Sequence, residues 1–401
     1  MILAVFVVSL IWLFNLQWKV SKEIVCPIYI YIAFVTLYVL FPYLYLTLGV
    51  DVVRISLRNL KMSNVEHVML FMALTNTVIA IPLLFIGSQS RYRLMSVPAF
   101  SRPEKLLTQQ FLIIYPIALL LVYLYPWAKF GEERTLGHSL ASFVKIYMVL
   151  IYCSISIDVR MDCRVPIRFN FYTILMFILF IIDTARTPLF IVLLAYSYAN
   201  RITFKKIITS WYKVVFVFML FLWVTLSRTG IEFSLTLATW PIFSEAIFGS
   251  YSALNASAIN LAIGTSIEMY FRFFLDQIFL IIPSGIAELF DYEYYFNRIT
   301  FEANSRGFIE GSISPLGGFF IASDMILYFG YLGALVLAFY IFAYMEFTRR
   351  GKTAFHGFVY FSSFILIKSP FWAFFNLILV AGIFYLLLRT IRALLWKRGG
   401  F

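Results

Sequence analysis

The chain is dominated by apolar runs about 17–25 residues long, the length a helix needs to cross a hydrocarbon core about 30 Å thick. Such runs are read near 1–16, 24–49, 66–87, 106–127 and 138–157. Two shorter ones follow near 169–183 and 187–200, then 207–227, and after a long interruption 319–345, 353–367 and 371–390. In lipid every backbone N–H and C=O must find its partner within the chain, so runs of this kind predict helices. The expected fold class is an all-α polytopic integral membrane protein with about 11 transmembrane helices. Its organisation is an N-terminal bundle over 1–227, one large external loop over 228–318, and C-terminal spans over 319–401. The opening "MILAVFVVSLIWLF" lacks a small-residue cleavage site and is read as a first span.

Composition agrees with this reading. Hydrophobic residues make up 62% and charged residues 13%, more apolar surface than a soluble core hides. The net charge of +12 would suggest nucleic acid in a soluble protein. Here it fits basic cytoplasmic loops and sites for anionic lipid groups, and no nucleic-acid partner is expected. Three cysteines and three histidines stand at no metal-ligand spacing, so neither metal nor cofactor is expected.

Basic residues set the orientation. Nineteen of them fall in six short segments, among them Lys19 and Lys22, Arg91 and Arg93, Arg160 and Arg168, Lys205 and Lys206, Arg349 and Arg350, and Arg389 and Lys397. The opposite segments hold 11. Positive-inside then places the C-terminus in the cytoplasm and the N-terminus and 228–318 outside. A crossing by "EMYFRFFLDQIF" (268–279) would flip every later loop, and it would place Arg272 in the bilayer at about 2.5–3.5 kcal/mol. Glu268, Arg272 and Asp276 recur every four residues among aromatic and aliphatic neighbours, so the expectation is an interfacial helix near 262–284 with that stripe toward the loop.

The loop carries nine carboxylates between Glu232 and Glu310, and four arginines. Arginine binds phosphate through a planar fork and keeps its charge in any setting, which suits a lipid pyrophosphate at the membrane surface. Candidate substrate-binding residues are Arg186, Arg228, Arg272, Arg298 and Arg306. Ion pairing is the other reading for Arg186 (with Asp183) and for Arg272 (with Glu268 or Asp276). Candidate catalytic carboxylates are Asp324, Glu310 and Glu302. For Asp324 the alternative is a first-turn carboxylate facing a helix dipole.

The stretch "SRGFIEGSISPLGGFFIASDMILYFGYLG" resembles the O-antigen polymerase family, the oligosaccharide repeat-unit polymerases called Wzy. Ser314, Pro315 and Gly317 fit its Gly/Ser/Pro approach, Asp324 its acidic position (more often Glu), and Phe329, Gly330 and Gly333 its aromatic-Gly-x-x-Gly helix. Arg186 in "ARTPLFIVLLAY" falls at the family's arginine position. The resemblance implies a GT-C-like membrane glycosyltransferase of the bacterial inner membrane. It would polymerise undecaprenyl-pyrophosphate-linked oligosaccharides into surface polysaccharide, alongside a chain-length regulator (polysaccharide co-polymerase) and a flippase. Two rivals are kept. An O-antigen ligase depends on a histidine in its external loop, and here no histidine lies between His138 and His356. A lipid-linked oligosaccharide transporter places ionisable groups midway along several spans, where only Lys145 is evident.

Overall fold

The computed structural model describes residues 1–48, 61–101, 110–126, 135–162, 166–183, 186–212, 240–281, 320–369 and 371–398, with a few isolated positions including Phe290 and Tyr292. The described residues are almost entirely helical and form no strand; one isolated bridge joins Glu23 and Thr203.

The first half begins with α1 (Ile2–Val20) and α2 (Pro27–Val35), which continues through a π-helical turn (Thr36–Leu40) into α3 (Phe41–Leu48). There follow α4 (Met62–Phe85), α5 (Ser88–Met95), α6 (Phe111–Leu124) and α7 (Leu136–Met161). Next come α8 (Ile167–Ile182), α9 (Arg186–Ala199) and the short α10 (Phe204–Thr209). The second half holds α11 (Trp240–Ile263), α12 (Ile267–Ile281), α13 (Ala322–Phe329), a 3₁₀ turn (Gly330–Leu332) and α14 (Gly333–Arg350). It closes with α15 (Ala354–Phe361), α16 (Ser363–Lys368) and α17 (Phe371–Arg398).

Among the described residues, five stretches are long and apolar enough to cross a membrane: Ile2–Val20, Pro27–Leu44, Met62–Phe85, Leu136–Met161 and Ala322–Arg350. Shorter apolar helices, such as Phe111–Leu124, Ile167–Ile182 and Phe371–Leu387, stand beside them. Their outward faces are greasy. On α8, Ile167, Phe171, Ile174, Ile178 and Ile182 are all exposed, one helical stripe from end to end. Water would not tolerate an apolar surface of that extent, whereas lipid does.

Two helices organise the interior. α4 packs on α1, α11 and α14, and α7 packs on α6, α9 and α15. Interhelical hydrogen bonds reinforce the contacts, as expected where lipid removes the hydrophobic drive for association. The Asn76 amide donates to Ser9 Oγ at 3.0 Å and accepts from the Tyr31 hydroxyl at 2.8 Å. Arg160 grips Glu23 through both carboxylate oxygens at 2.8 and 2.9 Å and also donates to the Tyr198 carbonyl. Arg160 therefore has a structural task beyond the sidedness signal expected of it from the sequence. Cys26 and Cys153 are buried free thiols, and Cys163 lies outside the described residues.

The apolar run read as one span near 319–345 is two helices. In a continuous helix Met325 and Gly333 would stand about 12 Å apart. Instead, a Cβ on Gly333 would lie 2.8 Å from the Met325 carbonyl carbon. The chain reverses at Gly330, whose φ of +55° is open to glycine at no steric cost. α13 is therefore a half-helix folded against the start of α14, and Ala322–Arg350 reaches spanning length only as this broken pair. Its start lies inside the bundle, with Phe320 against the Tyr38 ring of the π-helical turn. The backbone there is satisfied by protein: Phe320 N–H donates to Ser252 Oγ at 3.2 Å, and Ile321 N–H to the Ile367 carbonyl at 3.0 Å. Non-helical backbone survives at that depth only on such terms.

Of 228–318, the structure describes 240–281, Phe290 and Tyr292. α11 packs along α13, α4, α3 and the π-helical turn, so it is part of the helical assembly. Gly264, at φ +72°, ends it and starts the turn into α12.

Candidate functional site

α12 occupies the position of the expected interfacial helix. Ile267, Phe271, Phe274, Leu275 and Ile278 are exposed, while Met269, Phe273, Asp276 and Gln277 are buried against α13 and α17. The predicted charged stripe divides. Glu268 and Arg272 remain outside as a loose pair at 3.8 Å, with side chains 65% and 37% exposed. Asp276 turns inward and is 1% exposed. The reason is geometric: at 100° per residue, positions eight apart differ by about 80° around the helix, enough to move from rim to core.

Inside, Asp276 accepts two phenolic hydrogen bonds, from Tyr292 at 2.7 Å and from Tyr328 of α13 at 2.6 Å. Arg272 in turn is hydrogen-bonded to the Tyr292 phenol. Burial, then the Asp276 carboxylate it donates to, push the Tyr292 phenol up to about 12, so at neutral pH it stays a donor. A chain of polar groups thus leads from the exposed guanidinium of Arg272 through Tyr292 and Asp276 to Tyr328 in the half-helix. Neither tyrosine was among the sequence candidates. Tyr328 lies in the apolar run "ILYFGYLG", where an aromatic residue carries no functional signal of its own.

Asp324 is buried in the first turn of α13, yet it does not cap that helix with its side chain. Its Oδ2 accepts the backbone N–H of Phe371, the first residue of α17, at 3.1 Å. The carboxylate thus faces the positive N-terminal ends of two helices, an arrangement that stabilises its charge. Ser323, its neighbour, bonds Ser252 of α11 at 2.7 Å. α13 therefore directs Asp324 toward α17, Tyr328 toward α12 and Ser323 toward α11.

Asp183, the residue expected to pair with Arg186, has a partner from another helix. Lys145, midway along α7, bonds both oxygens of Asp183 at 2.9 Å, and the two side chains are 5% and 0% exposed. This accounts for a lysine that had no evident partner in the sequence. Arg186 is the first residue of α9, three positions beyond that carboxylate; its side chain lies outside what the structure describes. Arg228, Arg298, Arg306, Glu302 and Glu310 also lie outside the described residues. Among the sequence candidates, Arg272 and Asp324 are the ones whose side chains are described. They stand on elements that meet at α13, joined through Asp276 and Tyr328.

Comparison with protein-family models, with curated proteins and with solved structures finds no match to this chain.

Proposed function

We propose that the protein is a membrane glycosyltransferase that joins undecaprenyl-pyrophosphate-linked repeat units into a polysaccharide at the outer face of a bacterial inner membrane. One observation carries the reading beyond the sequence resemblance. A half-helix inside the bundle bears Asp324 and Tyr328, and an amphipathic helix at its side bears Arg272 and Asp276. A substrate with a lipid tail, an anionic pyrophosphate and a sugar chain needs such a meeting of apolar, cationic and acid-bearing surfaces.

In this scheme a sugar hydroxyl of the incoming repeat unit attacks the anomeric carbon of the growing chain. The bond from that carbon to the pyrophosphate oxygen breaks, and the electron pair leaves with the pyrophosphate. Arginines offset the developing charge, with Arg272, Arg186, Arg228, Arg298 and Arg306 as the candidates. A carboxylate, Asp324, Glu310 or Glu302, takes the hydroxyl proton. No metal is required by this chemistry. A chain-length regulator and a flippase would be its partners in the membrane.

A second reading, transport of the same lipid-linked sugars, is favoured by the broken α13–α14 pair and by the buried Lys145–Asp183 pair, features that discontinuous transporter helices share. Purified protein in liposomes with a lipid-linked repeat unit separates the two. New glycosidic bonds, read as a ladder on a gel, support the polymerase. Movement of the intact unit across the bilayer without a ladder replaces it by the transporter.

A further inference from the structure

The turn between α1 and α2 gathers cations that no carboxylate claims. Elsewhere the basic residues are tied down: Arg160 is held by Glu23, and Arg349 and Arg350 share Glu346 at 2.6 Å. Lys19, Lys22 and Lys205 are exposed and, among the described residues, stand in no ion pair. They lie close together because 22–24 runs antiparallel to 202–204. Ile24 N–H donates to the Ile202 carbonyl at 3.2 Å and Phe204 N–H to the Lys22 carbonyl at 3.4 Å. The isolated bridge of Glu23 and Thr203 lies between these two bonds. Lys205 is therefore a near neighbour of Lys22, and Lys19, in the last turn of α1, precedes Lys22 by three residues. Lys206 instead donates to the carbonyls of Asn200 and Arg201.

Aromatic rings hold the backbone beneath these charges. Phe204 meets Tyr29 edge-on at 4.8 Å and Trp18 at 5.7 Å, and Lys22 Nζ lies 5.5 Å from the centre of the Trp18 ring. Trp18 stays 37% exposed and ends a stripe. Val5, Val8, Ile11 and Trp18 are all exposed, at spacings of three and seven residues that keep them on one side of α1. Asn15, also exposed, stands about 4.5 Å deeper than the indole, where its amide can donate to a lipid ester carbonyl. A helix long enough to cross the membrane thus shows lipid an apolar stripe that gives way, at one end, to an indole and three ammonium groups. Apolar, aromatic, cationic is the order that one leaflet presents from its acyl chains to its headgroups.

We propose that this corner of α1, α2 and α10 is a docking site for an anionic phospholipid of the phosphatidylglycerol type. The phosphate lies against Lys19, Lys22 and Lys205, and an acyl chain runs along Ile11, Val8 and Val5. Charge selects the ligand. Three ammonium groups without a carboxylate partner complement a headgroup of net negative charge, whereas a phosphatidylcholine brings a cation of its own that they repel. Lysine, a strongly hydrated point charge on a flexible stem, suits a phosphate at a wet surface. The site lies apart from Arg272, Asp276 and Asp324, and it requires only that α1 stand in lipid. It holds equally for a polymerase and for a transporter.

The test is native mass spectrometry of the full chain released from micelles that hold dioleoyl phosphatidylglycerol and dioleoyl phosphatidylcholine in equal amounts. The wild type is expected to retain the anionic lipid about 10-fold or more over the zwitterionic one. The variant Lys19→Gln/Lys22→Gln/Lys205→Gln is expected to retain the two about equally. The same three positions changed to Arg keep the charge and the preference, which separates loss of the site from loss of the fold. Arg91→Gln/Arg93→Gln/Lys352→Gln removes as many charges elsewhere and is expected to leave the preference intact. Equal retention of both lipids by the wild type overturns the proposal, and so does a preference that survives in the Lys→Gln variant. A loss as large in the Arg91, Arg93 and Lys352 variant overturns it too, because net charge alone would then set retention. Displacement of the lipid by excess glycerophosphate would show a site for phosphate without acyl chains, and would overturn the docking of a lipid.

Discussion

The Lys145–Asp183 pair permits a quantitative test of how the bundle is held together. At 2.9 Å and an effective dielectric of about 20, the gross attraction between the two charges is about 6 kcal/mol. Much of that is offset by the cost of withdrawing both ions from water, so the pair as a whole adds little over a well-packed apolar couple. Removing one partner is different, because it leaves the other charge buried at 5% or 0% exposure. Lys145→Met and Asp183→Leu are each expected to destabilise the fold by about 3–5 kcal/mol. The double variant, with no charge left to bury, is expected to recover to within about 1 kcal/mol of wild type or to exceed it. Equilibrium unfolding by SDS in mixed micelles, followed through the eight tryptophans, measures all three. The reasoning fails if Lys145→Met costs less than about 1 kcal/mol while Arg186→Met costs several. That pattern would make the arginine three residues away the main partner of Asp183.

Three further outcomes are expected. Gly333→Ala should disrupt the hairpin, since its Cβ meets the Met325 backbone rather than a movable side chain, whereas Gly87→Ala, with nothing within 4 Å, should unfold within about 0.5 kcal/mol of wild type; equal yields of folded protein for the two by gel filtration would contradict the hairpin. Asp324→Asn keeps an acceptor for the Phe371 N–H and should cost at most about 1 kcal/mol of stability. If Asp324 is the base, polymer formation by that variant falls roughly 100-fold, and an unchanged rate strikes it from the candidates. Tyr328→Phe removes one of the two phenols that donate to buried Asp276 and should cost about 1–3 kcal/mol, with Tyr328→Phe/Asp276→Asn costing less than the sum of the two single changes; strict additivity in the same unfolding assay would show that the two groups are not coupled.

What the sequence determined alone is the class of the molecule and most of its helices. The cause is the solvent: hydrocarbon accepts no unpaired backbone group, so a long apolar run has one local solution whatever its neighbours are. The amphipathic character of 267–281 was legible for the same reason, because an amphipathic period within one helix is a local property. Partner choice was not local. Lys145 finds Asp183 across 38 residues, Phe371 finds Asp324 across 47, Tyr328 finds Asp276 across 52, and His67 finds Ser257 across 190. Spacing along the chain suggested nearer partners, Arg186 for Asp183 and Arg272 for Asp276. Only packing could add the distant ones, by setting the side of α12 that carries Asp276 against a core already furnished with two phenols. The hairpin at Gly330 was hidden in the same way. "ILYFGYLGALVLAFY" reads as one span because hydropathy measures what lipid tolerates. The reversal depends instead on a positive φ at one glycine and on backbone passing close to another.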